Sequence, residues 1–393
     1  MPPLGTRTPL AWHNLTHNGR RLMVALAGVG FAVVLMFTEL GFRNALFDST
    51  VQILEKLNGD LILASKAHKG LVSFERFDRQ RIYQARGCPA VAGVYPFYIE
   101  FHGVEWKVRG KLLHPIRLLA FPTSDPVVAI PAVGSHARQL AEPETALFDL
   151  RSKPQYGLPD VRAAVANPPD IELCNRSLRL VGTFELGTDF ASDGNLILSD
   201  ENFARYCPNR APGKDPLSIV DLGVVRLAAG ADAEQVRGAL VRLLPDDVHV
   251  YTKQEFIDRE IEFWNKSTPI GYIFFLGMVI GFLVGVVVCY QIISADIGDH
   301  IPEFATLKAM GYRNGYFIGF VLQEAMFLSV LSFIPGLLVS LGLYAVLAKG
   351  TGLLMALNVP RASLVFLLTA AMCLVSGCLA MRKVLAADPA DLF

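Results

Sequence analysis

Residues 267–295 read STPIGYIFFLGMVIGFLVGVVVCYQIISA, 29 positions without a charged side chain. A bilayer core of roughly 30 Å is crossed by about 20 mostly apolar helical residues. The stretch is long enough to span, and a helix apolar all round is not a surface helix of a soluble domain. Three further stretches share its character: 22–40, charge-free until Glu39; 316–348, with the single charge Glu324; and 362–381, with none. The run at 22–40 follows Arg20-Arg21, as a signal peptide would. Its 17 uncharged residues exceed a typical h-region and no small-x-small site closes it, so it reads as a retained span. The expected fold is therefore a membrane protein with four transmembrane helices, at 21–43, 267–295, 316–348 and 362–383, and a large domain inserted between the first two.

Composition supports that division. The 393 residues are 52% hydrophobic and only 18% charged, against about 25% charged in soluble domains. Residues 44–265 hold 25 Lys/Arg and 29 Asp/Glu, net −4, while the rest hold 11 and 7, net +4. One chain is two materials, a membrane part and an ordinary water-soluble domain. A wholly soluble enzyme, a nucleic-acid binder resting on a basic surface and a disordered protein are excluded.

Basic residues near span ends set direction. Arg7, Arg20, Arg21, Lys308, Arg313, Arg382 and Lys383 fall on one side, against Lys349 and Arg361 on the other. Both termini and the 296–315 loop are expected in the cytoplasm, with the tail 384–393. The domain at 44–266 and the short loop 349–361 are expected outside. Cys88, Cys174 and Cys207 lie in the outer domain, allowing at most one bridge.

Thr8-Pro9 and Gly19 bracket a helix whose apolar face carries Ala11, Trp12 and Leu15, so 1–20 reads as an amphipathic helix on the inner interface. His13 and His17 share its face but lack a third ligand, and read as solvated. Beyond span one no proline or turn signal appears before Asn58-Gly59, and Phe47, Val51, Leu54 and Leu57 keep a helical stripe. About 16 further helical residues would reach roughly 25 Å. On the return, Thr252-Lys253-Gln254-Glu255 fits a capping box, and Ile257, Ile261 and Trp264 mark one face down to Pro269. These helices read as a two-helix stalk continuous with spans one and two, or as surface helices of the outer domain.

Between them, strand-like runs at 60–65, 91–101, 116–121, 179–186, 195–198 and 222–227 alternate with helical patterns at 78–86, near 199–206 and at 233–244. Strand, helix, strand at both ends indicates a split α+β unit, a mixed α/β domain. The Pro/Gly-punctuated insert at about 102–180 reads as a second subdomain or long loops.

Chemistry is sparse. No P-loop, H-E-x-x-H, C-x-x-C or G-x-S-x-G is present. Asp189 and Asp193-Gly194-Asn195 lack EF-hand spacing, and Asp193-Gly194 reads as a tight turn between strands. His68, His102, His114, His136 and His249 are scattered. No catalytic, cofactor-binding or metal residues are expected.

The loop at 296–315 is better patterned. Pro302 suits a first helical turn, Asp299 and Glu303 the N-terminal end, Lys308 the C-terminal end, and Gly311 a stop. Phe304, Leu307 and Met310 add apolar side chains. So short a helix gains little stability alone, so it is expected to seat in a partner's groove. Within the membrane, Gly277, Gly281 and Gly285 form a small-xxx-small ridge suited to a subunit interface or to packing inside one subunit. Pro335-Gly336 is expected to kink span three. Glu39 has Arg43 one turn on, and Glu324 is expected to be satisfied by a neighbouring helix rather than to relay protons.

The layout of one span, a large outer domain and three spans resembles the FtsX/MacB family of ABC-transporter permeases. Asp299-His300-Ile301-Pro302-Glu303-Phe304-Ala305-Thr306-Leu307-Lys308-Ala309-Met310-Gly311-Tyr312 is similar to that family's acidic-x-ATLKA-x-G coupling segment. Phe37 to Phe47 (FTELGFRNALF), Val181 to Phe190 (VGTFELGTDF), Tyr290-Gln291-Ile292 and Asp388-Pro389-Ala390 resemble the DevC branch. The resemblance implies a mechanotransmission-type, non-catalytic permease subunit of a tripartite efflux system in the inner membrane of a Gram-negative-type bacterium. Its implied coupling residues are Pro302, Glu303, Phe304, Thr306, Leu307, Lys308, Met310 and Gly311. The implied partners are a second copy in a homodimer, a separate P-loop ATPase of the DevA or MacB type, a DevB/HlyD-like membrane-fusion adaptor, a TolC-like outer-membrane channel and membrane lipid, with no nucleic acid. ATP and Mg would act through the ATPase alone, and the cargo would be envelope material such as glycolipid. FtsX-like activation of an envelope hydrolase and LolC/LolE-like lipoprotein extraction stand as alternatives.

Overall fold

The computed structural model of the chain describes residues 19–72, 75–158, 160–166, 169–267, 269–353 and 355–386. The helix expected at 1–20, with His13 and His17, and the tail at 384–393 lie almost wholly outside them. Two compact units emerge. One comprises residues 1–44, 270–347 and 355–393, the other residues 45–269 and 348–354.

The first unit holds four helices long and apolar enough to cross a membrane, with candidate spans Leu22–Lys56, Pro269–Asp299, Asn314–Ala348 and Val359–Met381. Its core is built from Val29, Ala32, Val33, Met36 and Phe37 of the first, Cys289 and Ile293 of the second, Phe317, Val321 and Leu328 of the third, and Met372 and Cys373 of the fourth. Small residues set the closest approaches, as membrane helices require. Gly336 lies against Val33, and Gly41 sits under Tyr344, whose hydroxyl donates to the Phe37 carbonyl. Pro335 stays inside one helix, Asn314–Thr351. Tyr272, Ile273, Leu276, Ile280, Leu283 and Val287 are exposed on the second span, spaced three and four apart. Such an apolar stripe is what lipid or another membrane helix covers.

The second unit is built on an eleven-stranded sheet. Its order is Val248–Thr252, Leu61–Ser65, Leu222–Leu227, Val91–Glu100, Arg117–Phe121, Asn195–Ser199, Thr145–Asp149, Arg176–Phe184, Ile171–Leu173, Glu105–Val108, His114–Pro115. The first four strands, with helices Gln80–Arg86 and Ala233–Leu243, form the split α+β unit read from the sequence. Two long strands then hand the sheet on. Val91–Glu100 pairs with Leu222–Leu227 along its first half and with Arg117–Phe121 along its second. Arg176–Phe184 pairs with Ile171–Leu173 at its start and with Thr145–Asp149 beyond it.

The strands of the insert at 102–180 continue the parent sheet, and between them Pro131 and Pro154 open short helical turns. Asp193 and Gly194 do not close a hairpin, because Arg176–Phe184 and Asn195–Ser199 are separated in the sheet by Thr145–Asp149. They end a loop, where Lys153 and Gln155 bond the Asp193 carboxylate.

Alternation along the strands sends side chains to two buried faces. Leu61, Leu63, Val94, Tyr98, Leu118 and Leu196 meet Ile82, Phe203, Val236 and Leu240 of three helices. Ile62, Ala64, Phe97, Ile99, Leu119 and Leu222 meet Val51, Leu54 and Leu57 at the end of helix Gly19–Lys56, and Phe256 and Ile257 of helix Lys253–Lys266. Both readings of the stalk therefore describe part of it. Helix Gly19–Lys56 is uninterrupted, and its last turns are core of the outer domain. The capping box at Thr252 and Glu255 forms as read, and Lys253 donates to the Glu55 and Leu57 carbonyls, tying the helix start to the end of the first.

Candidate functional site

The segment expected to meet a partner folds as helix Ile301–Ala309 with Pro302 in its first turn. Its end is a Schellman motif. Tyr312 N–H donates to the Leu307 carbonyl at 3.2 Å, Gly311 N–H donates to the Lys308 carbonyl at 3.0 Å, and Gly311 holds φ +93°. Only glycine adopts that backbone without cost, so the stop signal is also a conformational requirement. Glu303 and Lys308 stand at the ends the helix dipole favours.

The helix does not present all three apolar side chains outward. Phe304 is buried, its ring edge-on to Phe317 and Phe320 at 5.7 and 5.6 Å. Leu307 packs partly against the same core. The exposed row is Pro302, Thr306 and Met310, one turn apart, with Glu303 beside it; Met310 is 63% exposed. Phe304 and Leu307 pack against their own chain, so Pro302, Glu303, Thr306 and Met310 are the exposed members of the expected coupling set.

The glycine ridge is occupied from within the same chain. Gly277 lies under the Glu39 carboxylate, Gly281 faces Met36 and Leu35 at contact distance, and Gly285 lies against Met372 and Ala32. All three glycines thus pack against helices of the same chain. Glu324 is buried at 2% exposure and lies beside the Asp296 side chain on span two. Sequence reasoning left that partner unnamed, because nothing local links positions 296 and 324.

The outer domain carries polar groups that hold loops. Asp149 accepts from the Leu186 and Gly187 N–H groups and from Asn195, and buried Arg117 pairs with Asp189 at 2.5 Å. The DevC-like run 181–190 is thus a strand end and its clamped loop. Burial pushes the Glu260 carboxyl up to about 7, opposed by donation from Leu71 N–H and Trp264 Nε1. Burial pushes the His68 imidazole down to about 4. Cys88, Cys174 and Cys207 are unbridged. Among the described residues, no three His, Cys, Asp or Glu side chains are grouped to hold a metal ion.

Residues 273–389 match the family described as FtsX-like permease C-terminal. Comparison with curated proteins gives no match. Among solved structures, the chain is similar to the periplasmic region of MacB from Actinobacillus actinomycetemcomitans, at 12% identity and TM-score 0.35, covering 53% of this chain and 94% of that one. It is also similar to the extracellular domain of the noncanonic ABC-type transporter YknZ from Gram-positive bacteria, at 9% identity and TM-score 0.34, covering 49% and 99%. The chain thus carries a segment that matches the FtsX-like permease C-terminal family, within four apolar helices and a mixed α/β domain.

Proposed function

We propose that the chain is the transmembrane subunit of an export system of the DevC type, relaying ATP hydrolysis in a separate ATPase to its outer domain. The observation that carries this reading is the exposed row Pro302, Thr306 and Met310 on a helix closed at its C-terminal end by a Schellman turn and anchored inward by Phe304. A rigid helix with one face held by its own chain and the other open transmits force without melting. The unbroken helix Gly19–Lys56, whose last turns are core of the outer domain, supports relay outward. In this scheme two copies pair as a homodimer, ATP and Mg bind only the ATPase, an adaptor and a TolC-like channel complete the path, and the cargo is envelope material.

The test is copurification with a candidate partner ATPase. Met310→Asp or Thr306→Arg should abolish it while the protein still reaches the membrane, because neither side chain is core. Unchanged ATPase retention in both variants overturns the docking reading. Crosslinking from the outer domain separates the functional classes. Capture of a membrane-fusion adaptor supports export, whereas capture of an envelope hydrolase replaces it with FtsX-like regulation.

A further inference from the structure

The run Gly187-Thr188-Asp189-Phe190 ends in a turn that is bonded on both sides of an exposed ring. One Asp189 carboxylate oxygen accepts from the Ala191 and Ser192 N–H groups at 2.8 and 2.9 Å, and the other accepts from Arg117 at 2.5 Å. The Asp189 N–H donates to the Ser192 carbonyl at 3.0 Å, and the Ser192 hydroxyl donates to the Gly194 carbonyl at 2.6 Å. Arg117, only 6% exposed, is held in turn by Asn195. Phe190 stands in this closed turn at 43% exposure. Burying such a ring is worth about 1.5–3 kcal/mol, which a loose loop would gain by folding it inward. The bonds around it fix the ring where it stands.

Phe190 borders a cleft of about 140 Å³ in the outer domain, with Phe101, Pro115, Ile116 and Ala191 as further apolar walls and Ser192 and Asp193 as polar ones. Phe101 directly follows strand Val91–Glu100 and Ile116 directly precedes strand Arg117–Phe121, and these two strands are paired, so the sheet sets those walls. An apolar cavity near 150 Å³ takes a molecule the size of benzene. The cleft therefore has room for one ring or a short branched alkyl group, and not for a helix or a strand. The Asp193 carboxylate accepts from Lys153 and Gln155, which puts donors and acceptors open to solvent next to the apolar walls. Convergence of a preformed apolar pocket with a few polar groups is the arrangement of a small-molecule site.

We propose that this cleft binds the apolar end of a small amphipathic molecule between Phe101 and Phe190, with the Asp193 corner facing its polar end. The turn is already clamped, so little ordering opposes binding. The site is separate from the ATPase contact, and either reading can fail without the other.

Photocrosslinking in intact membranes tests it, with p-benzoylphenylalanine as the probe in the full-length chain. Placed at position 190, it should give an intact-mass shift of small-molecule size. Placed at position 83, where Tyr83 is 54% exposed on helix Gln80–Arg86, it should give none. Ala191→Phe, which fills the cleft and leaves the backbone bonds of the turn in place, should lower the adduct yield at position 190 about tenfold, the scale of one ring-sized apolar group left in water. Pro115→Trp narrows the cleft from another wall and should do the same; the yield is read in whichever of the two keeps the wild-type melting temperature. A protein-sized adduct at position 190 replaces the small molecule with a protein contact. No adduct there, equal small adducts at 190 and 83, or a yield that the filled cleft leaves unchanged overturns the site.

Discussion

Glu260 and His68 show how the outer domain's stability depends on opposed titrations. The folded protein holds Glu260 neutral up to about 7, whereas the unfolded carboxyl ionises near its ordinary 4.5. Between those values the folded state binds more protons, so stability falls as pH rises, then stays level above about 7. The gap corresponds to about 3 kcal/mol. His68 runs the other way. Its imidazole is neutral in the fold down to about 4 and in the unfolded chain only above 6.5, so its stability is lost as pH falls through that window. The two slopes nearly cancel in the wild type. Glu260→Gln removes one of them while keeping an acceptor for Leu71 N–H. In thermal melts, the stability of this variant relative to wild type should climb between about pH 4.5 and 7 by up to about 3 kcal/mol and then plateau. A difference that stays flat across that window would contradict a buried neutral Glu260.

Packing between helices makes a graded prediction for the glycine ridge. A methyl added at Gly285 meets the Met372 sulfur and the Ala32 Cβ, whereas at Gly281 it meets Met36 and Leu35 at ordinary contact. Gly285→Ala should destabilise the purified protein by about 1–3 kcal/mol, and Gly281→Ala by less than about 0.5 kcal/mol. Gly277→Ala should fall between, because the flexible end of Glu39 can swing aside. Equal effects of all three on dimerisation, with unchanged melting of the subunit, would instead make the ridge an interface between copies. Elements with local signals were legible in the sequence. The four apolar runs, the Thr252 capping box and the Pro302 and Gly311 boundaries depend on residues within one or two turns. The orientation of the 301–309 helix was not, because Phe304 finds Phe317 and Phe320 on the next helix. The sheet order and the strands Thr145–Asp149 and Ile171–Leu173 were hidden for the same reason. Their pairing partners lie far along the chain; Thr145–Asp149 is buried throughout and carries no alternation to read, and three-residue Ile171–Leu173 is too short to show one.

At the scale of the whole chain, the two compact units constrain topology more than charge counting alone. Residues 348–354 belong with residues 45–269, and Gly352, at φ +75°, lies against Thr188 and the Arg151 carbonyl. The turn after span three therefore shares a side of the membrane with the outer domain. The chain crosses twice between them, through spans two and three, so the 296–315 loop lies on the opposite side. On the expectation that each of the four apolar helices crosses, both termini return to that loop's side, and which side is the cytoplasm is a separate question. The basic residues Arg20, Arg21, Lys308, Arg313, Arg382 and Lys383, against Lys349 and Arg361, are the reason to expect that loop in the cytoplasm. A green fluorescent protein fused to the C-terminus should fluoresce, an alkaline phosphatase fused there should be inactive, and protease added outside the inner membrane should cut near the exposed Leu112. An active phosphatase fusion would invert the chain, carry Met310 away from ATP and remove the physical basis for coupling at the 301–309 helix.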